Sequence, residues 1–357
     1  MWTLNKPDDA WKLGCGRYLQ ERGALLRLDS EIARLGKNPM FLTGEKSFAA
    51  VLSLYPELQS LRERAFTICA APCNLSQAQI LCERARADGC DVIVGMGGGR
   101  IMDIAKLVAN MAKTRMLMAP TLSATCAAYA PLSVVYSMEG RTEGAVFFDR
   151  EVDCILADMD VLARQPVRSA CAGMLDAIAK LVEMHHYDEP SLACPAMRTA
   201  VTLAQHVFDR LTAIAGQAMA DVKACRASEA VEEMVWLTLA GTGMVSGLAS
   251  HWNHQSAIAH CLYDGVRMCF PEESRPYLHG EIVALGMYAQ TYYTGWNMGE
   301  VLAVLDKLGM PRRLHDVGVP EDEAAFYALY SAVLQGMQKT NRPVEAGRLD
   351  VCMRRLQ

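Results

Sequence analysis

The chain has 357 residues, 52% hydrophobic and 21% charged, which supplies apolar material for two cores and excludes a disordered polymer. A net charge of −5 with no long run of Lys or Arg argues against nucleic acid or an anionic membrane as the main partner and leaves a small molecule. The first nine residues, Met1-Trp-Thr-Leu-Asn-Lys-Pro-Asp-Asp9, form no apolar leader, and no segment offers the ~18 apolar residues of a membrane span, so a cytoplasmic enzyme is expected.

Over the first 160 residues short apolar runs alternate with helical patterns. Residues 40–43, 66–70, 91–94, 116–119 and 154–157 read as strands, with helices at 46–54, 76–88 and 102–113 between them, the order of a largely parallel sheet. Residues 133–137 and 145–148, separated by Glu139-Gly140, read as a hairpin. After about Asp160, Ala/Leu/Met/Glu-rich segments with helical spacing take over, at 169–185, 195–210, 228–247, 255–263, 281–293 and 299–308. The expected fold class is therefore α/β plus all-α. A Rossmann-like nucleotide-binding domain covers 1–160, and an all-helical metal- and substrate-binding domain covers 161–357. The thirteen cysteines are scattered without a C-x-x-C pair and read as free, mostly buried thiols.

The most specific local signal is Asp91-Val-Ile-Val-Gly-Met-Gly-Gly-Gly-Arg-Ile-Met-Asp-Ile-Ala-Lys106, a strand that runs into three glycines and then into a helix. Glycines 97 to 99 let a pyrophosphate approach the backbone, and the helix start offers unpaired N–H groups and the positive end of its dipole. A nucleotide is the expected guest. In the helical half Asp176, His260 and His279 are candidate metal ligands. A carboxylate in an apolar helix is costly to bury unless a cation pairs with it, and Lys180 is an alternative partner to a metal. His260 also suits a satisfied core histidine, and His279 a helix cap or loop residue. One carboxylate and two imidazoles with an open position suit a catalytic Zn²⁺ and can also hold Fe²⁺. His185-His186 and the pair His251 and His254 are weaker competing groups, read as solvated or capping histidines.

Taken together, Gly97-Gly-Gly-x-x-x-Asp103-x-Ala-Lys106, Ala119-Pro-Thr121, Leu132-Ser-Val-Val-Tyr136, Ala172-Gly-Met-x-Asp176-Ala177, Ala259-His260 and His279-Gly-Glu281 make the chain resemble a known family. It is similar to the iron- or zinc-dependent alcohol dehydrogenases of the dehydroquinate-synthase-like fold, within them to the glycerol dehydrogenase branch. The resemblance implies metal ligands at Asp176, His260 and His279. It implies cofactor contacts at Gly97, Gly98, Gly99, Arg100, Ile101, Met102, Asp103, Thr121, Leu122, Ser123, Ala124, Ala130, Leu132 and Tyr136. Glu45, after the first strand of the motif, is expected near the adenosine ribose, where a carboxylate favours NAD over NADP.

Two departures from the family pattern shape the expectation. Lys180 stands where iron-type relatives place a histidine four residues after the aspartate, which favours zinc over iron. Cys126 stands where glycerol dehydrogenases carry a polyol-binding aspartate, and Thr125-Cys-Ala-Ala-Tyr-Ala-Pro-Leu-Ser-Val134 looks like the hydroxycarboxylate dehydrogenase relatives. The substrate expected is then a small 2-oxo or 2-hydroxy acid touching Cys126. A polyol is the alternative, and a lyase of the dehydroquinate synthase type a more remote one. Tyr263 replaces a second histidine of the relatives and is the candidate proton relay; a homo-oligomer is expected.

Overall fold

The computed structural model describes residues 11–138, 140–186, 194–249, 256–340 and 342–357. These residues form eight strands: β1 (Tyr18–Glu21), β2 (Pro39–Thr43), β3 (Ala65–Ile68), β4 (Val92–Gly97), β5 (Arg115–Pro120), β6 (Leu132–Tyr136), β7 (Thr142–Phe147) and β8 (Cys154–Asp158). Six of them make one sheet in the order β1-β8-β5-β4-β2-β3, with every neighbouring pair parallel. The remaining two form an antiparallel ribbon, as the hairpin pattern predicts. Strands β4 and β8 are buried along their whole length, which is why they read as unbroken apolar runs rather than as alternation. Strand β1 escapes the sequence reading because Tyr-Leu-Gln-Glu, half-buried at the sheet edge, carries no apolar run.

Helices α1 (Leu28–Leu35), α2 (Glu45–Leu52), α3 (Leu75–Ala87) and α4 (Gly99–Ala112) accompany the sheet. A short α5 (Met159–Leu162) leads into α6 (Val167–Met184), α7 (Pro195–Lys223), α8 (Glu229–Trp236), α9 (Thr242–Ala249), α10 (Ile258–Cys269), α11 (His279–Thr294), α12 (Met298–Lys307), α13 (Glu323–Lys339) and α14 (Ala346–Arg354). A π-helical turn at Leu237–Gly241 joins α8 to α9, so the helix expected over 228–247 exists with one widened turn. Helix α7 continues well past the expected end at Arg210. Among the described residues no helix is long and apolar enough to cross a membrane. All thirteen cysteines carry free thiols.

Helix α6 is the axis of the helical half. It packs against α7 and α11, and α11 against α10. Every residue of α6 from Ser169 to Met184 is buried, the pattern of a helix surrounded by protein. Any polar side chain on it must therefore find a partner or be costly. Two glycines bring α6 into backbone contact with its neighbours. A Cβ on Gly173 would lie 1.9 Å from the carbonyl oxygen of Ser123, in the loop after β5, and one on Gly280 would lie 1.9 Å from that of Ala172. The sheet's loop and the start of α11 thus meet on the same turn of α6, one turn before Asp176.

Candidate active site

Strands β4 and β5 lie side by side with Gly97 opposite Pro120, so their carboxyl ends deliver two loops to one place. Gly98 caps α4, and the Thr121 N–H donates to the Gly97 carbonyl at 2.9 Å, holding the loops together. The expected strand, glycine turn and helix N-terminus are all present, an arrangement suited to a pyrophosphate. A Cβ on Gly98 would lie 3.0 Å from Leu122 Cδ1. Gly98→Val would thus act by displacing Leu122. NADH binding, followed by fluorescence titration, is expected to weaken roughly tenfold or more, about 1.4 kcal/mol, while the thermal transition of the protein is kept. Unchanged affinity would make the glycine turn purely structural.

The other cofactor candidates occupy the same rim with differing attachments. Glu45 opens α2 directly after β2 and is exposed. Arg100 donates to the Ala70 carbonyl at 3.0 Å, whereas Ile101 and Met102 are buried and close the first turn of α4 with their N–H groups on the Gly98 carbonyl. Asp103 pairs with the fully buried Lys106 at 3.2 Å; burial pushes its carboxyl up to about 6 against the pull of that ammonium. Lys106 also donates to the carbonyls of Ala130 and Leu132, fastening the loop before β6 onto α4. Ser123 is fully buried and its N–H and hydroxyl are both taken by Gln165, so its side chain serves the fold; Ala124 packs against Gly173. Tyr136 places its hydroxyl 3.4 Å from that of Tyr263.

The three candidate ligands come from three helices and converge. Asp176 projects from the middle of α6, His260 from the first turn of α10 and His279 from the first residue of α11. Asp176 Oδ1 lies 3.3 Å from the Nε2 of each histidine, and the three donor atoms all lie within 4.8 Å of one another. Lys180, one turn along α6, brings its ammonium to 3.6 Å from Asp176 Oδ1 and 3.2 Å from His260 Nε2. Burial would raise the Asp176 carboxyl, but Lys180 and the two imidazoles outweigh it and hold it well below its ordinary range. Burial lowers His279, whereas Glu183 raises His260 against the effect of burial. One carboxylate and two imidazoles brought together from three helices, with donor atoms all within 4.8 Å of one another, form a donor set chemically suited to a divalent cation. Among the described residues no other group of three such side chains is so placed.

Tyr263 lies edge-on to His279 with ring centroids 4.2 Å apart, and Cys126 lies buried with its Sγ 3.8 Å from the Ser246 hydroxyl. The competing histidines are elsewhere: His185 stacks on Trp296 and His186 on Tyr293, while His251 and His254 lie outside the described residues. Sequence reasoning missed Glu183, which sits seven residues after Asp176 on the same face of α6 and is fully buried. The argument that singled out Asp176, a carboxylate in an apolar helix, applies to it equally. It also missed Arg168, which grips both carboxylate oxygens of Glu281 and so braces the turn that carries His279.

The family model described as iron-containing alcohol dehydrogenase matches residues 15–160. A glycerol dehydrogenase of Pseudomonas putida is 30% identical over 318 residues, covering 86% of this chain and 85% of the relative. Hydroxycarboxylate dehydrogenase A of Escherichia coli is 25% identical over 342 residues, covering 94% and 91%. The crystal structure of a probable glycerol dehydrogenase from Sinorhizobium meliloti superposes with a TM-score of 0.83 at 26% identity, covering 97% of both chains.

Proposed function

The chain belongs to the iron-containing alcohol dehydrogenase family, a family of metal-dependent oxidoreductases, and we propose that it moves a hydride between NAD and a small vicinal diol of the glycerol type. The observation that carries this reading is the convergence of Asp176, His260 and His279 beside loops that lead from the carboxyl ends of β4 and β5. We assign Zn²⁺ to the three ligands, because Lys180 takes the place of a fourth. A divalent cation there supplies Lewis acidity to the substrate oxygen.

The remaining chemistry belongs to the chain. Gly97, Gly98 and the first turn of α4 hold the dinucleotide phosphates, while Lys106 keeps the loop before β6 closed on that helix. The Glu45 carboxylate accepts hydrogen bonds from a ribose 2′-hydroxyl and repels a 2′-phosphate, which favours NAD. The paired hydroxyls of Tyr263 and Tyr136, beside His279, offer a proton a route away from the substrate oxygen.

A second reading, a 2-oxo or 2-hydroxy acid substrate, is favoured by one observation: the buried Lys180 ammonium faces the ligand cluster, and Cys126 brings no opposing charge. Initial rates with glycerol, dihydroxyacetone and a small 2-oxo acid, read as NADH absorbance, decide between them. The diol reading expects a higher kcat/KM for glycerol and dihydroxyacetone, and a further gain in Cys126→Asp, whose carboxylate accepts hydrogen bonds from substrate hydroxyls. Faster reduction of the 2-oxo acid, depressed by Cys126→Asp, would overturn it in favour of the acid.

A further inference from the structure

The carboxylate of Glu183 is fully buried beside the ligand cluster. One of its oxygens, Oε1, accepts the backbone N–H groups of Ala257 at 2.6 Å and His260 at 2.9 Å, at the start of α10. The other, Oε2, faces the ring Nδ1 of His260. One carboxylate therefore binds both the main chain and the side chain of the same histidine. That fixes where α10 begins and how the imidazole is rotated.

The tautomer follows from the partners. Glu183 Oε2 accepts, so Nδ1 carries the hydrogen. At the opposite ring atom Lys180 Nζ stands 3.2 Å from Nε2, and an ammonium can only donate, so Nε2 keeps its lone pair and accepts from it, the form in which an imidazole can ligate a metal. A buried carboxylate is a costly way to orient a ring that a backbone carbonyl could hold. What it adds is negative charge against Nδ1–H, which makes Nε2 a stronger electron donor.

We propose that Glu183 is a positioning residue of the metal centre, holding His260 in the orientation and tautomer that offer Nε2 to the ion. The proposal rests on the ligand set assigned above. It predicts that removing the charge at 183 weakens metal retention more than it disturbs the fold, whereas a residue that merely caps α10 would do the reverse.

The test uses the full chain as wild type, Glu183→Gln and Asp176→Ala. Zn²⁺ dissociation is measured by competition with a chromophoric chelator, and the Co²⁺-loaded proteins are compared by their visible absorption bands. Glu183→Gln is expected to bind Zn²⁺ about 10 to 100-fold more weakly than wild type and to shift the Co²⁺ bands, with the far-ultraviolet circular dichroism retained. Wild-type affinity and bands in a folded Glu183→Gln protein would overturn the proposal while leaving the ligand set intact. Failure of the ligand set reads differently: Asp176→Ala would then hold Zn²⁺ as tightly as wild type. If Glu183→Gln does not fold, Glu183→Asp is measured instead, since it keeps the charge but shortens the reach to Nδ1. Weaker Zn²⁺ binding by that variant supports the proposal, and unchanged binding overturns it.

Discussion

Asp176→Ala is expected to purify without its metal and without measurable turnover, while keeping its helical circular dichroism. Of the three candidate ligands Asp176 is the only anion, and its Oδ1 is the atom on which both histidines and Lys180 converge. Its loss leaves two imidazoles and an ammonium, a set that repels a dication. Metal affinity should fall by more than the roughly 10 to 100-fold seen when a residue one layer further out is removed. A thermal readout follows that does not depend on turnover. A ligand at about 100 times its Kd stabilises the folded state by about 2.7 kcal/mol, so a chelator should lower the melting temperature of the wild type. The same chelator should leave Asp176→Ala unmoved, because that variant has no ion to lose. A variant that retains its metal, or melts lower with chelator just as wild type does, would remove Asp176 from the ligand set.

Much of this site was legible in the sequence because each part obeys a local rule. The run from Asp91 to Lys106 declared a buried parallel strand, a turn without side chains and a helix start, and β4 and α4 occupy those residues. Asp176 stood out as a charge in an apolar helix. What was not legible depends on contacts between segments distant in sequence. Nothing local says that His260 and His279 meet Asp176 across 84 and 103 residues. Ser123 stands among the cofactor contacts the resemblance implies, yet its N–H and hydroxyl are held by Gln165, 42 residues on. Helix α7 runs past its expected end at Arg210 because Leu211, Ala215, Ala218 and Val222 continue its buried face, and its packing against α6 carries it through to Lys223. Glu183 was passed over although the burial argument covers it, since its partner histidine lies on another helix.

Gly280→Ala is expected to damage fold and metal centre together. Gly280 follows His279 in the first turn of α11, and its missing Cβ lets that turn rest on the backbone of α6. An alanine methyl would stand 1.9 Å from the Ala172 carbonyl oxygen, far inside contact distance, and the obstacle is main chain on a buried helix, so no rotamer change relieves it. The turn must lift away. Overpacking of this kind typically costs about 1 to 3 kcal/mol, and backbone against backbone belongs at the upper end, lowering the melting temperature by roughly 3 to 4 °C for a chain of this size. His279 would lift with its turn, away from Asp176, so the ion should be lost more readily even from molecules that remain folded. Gly299→Ala is the matched control: it too lies in the first turn of a helix, and a Cβ there meets nothing within 4 Å. That substitution should be neutral or stabilise by up to ~1 kcal/mol through helix propensity alone. If Gly280→Ala melted and held metal like Gly299→Ala, the close approach of α11 to α6 would not be what sets His279 in place.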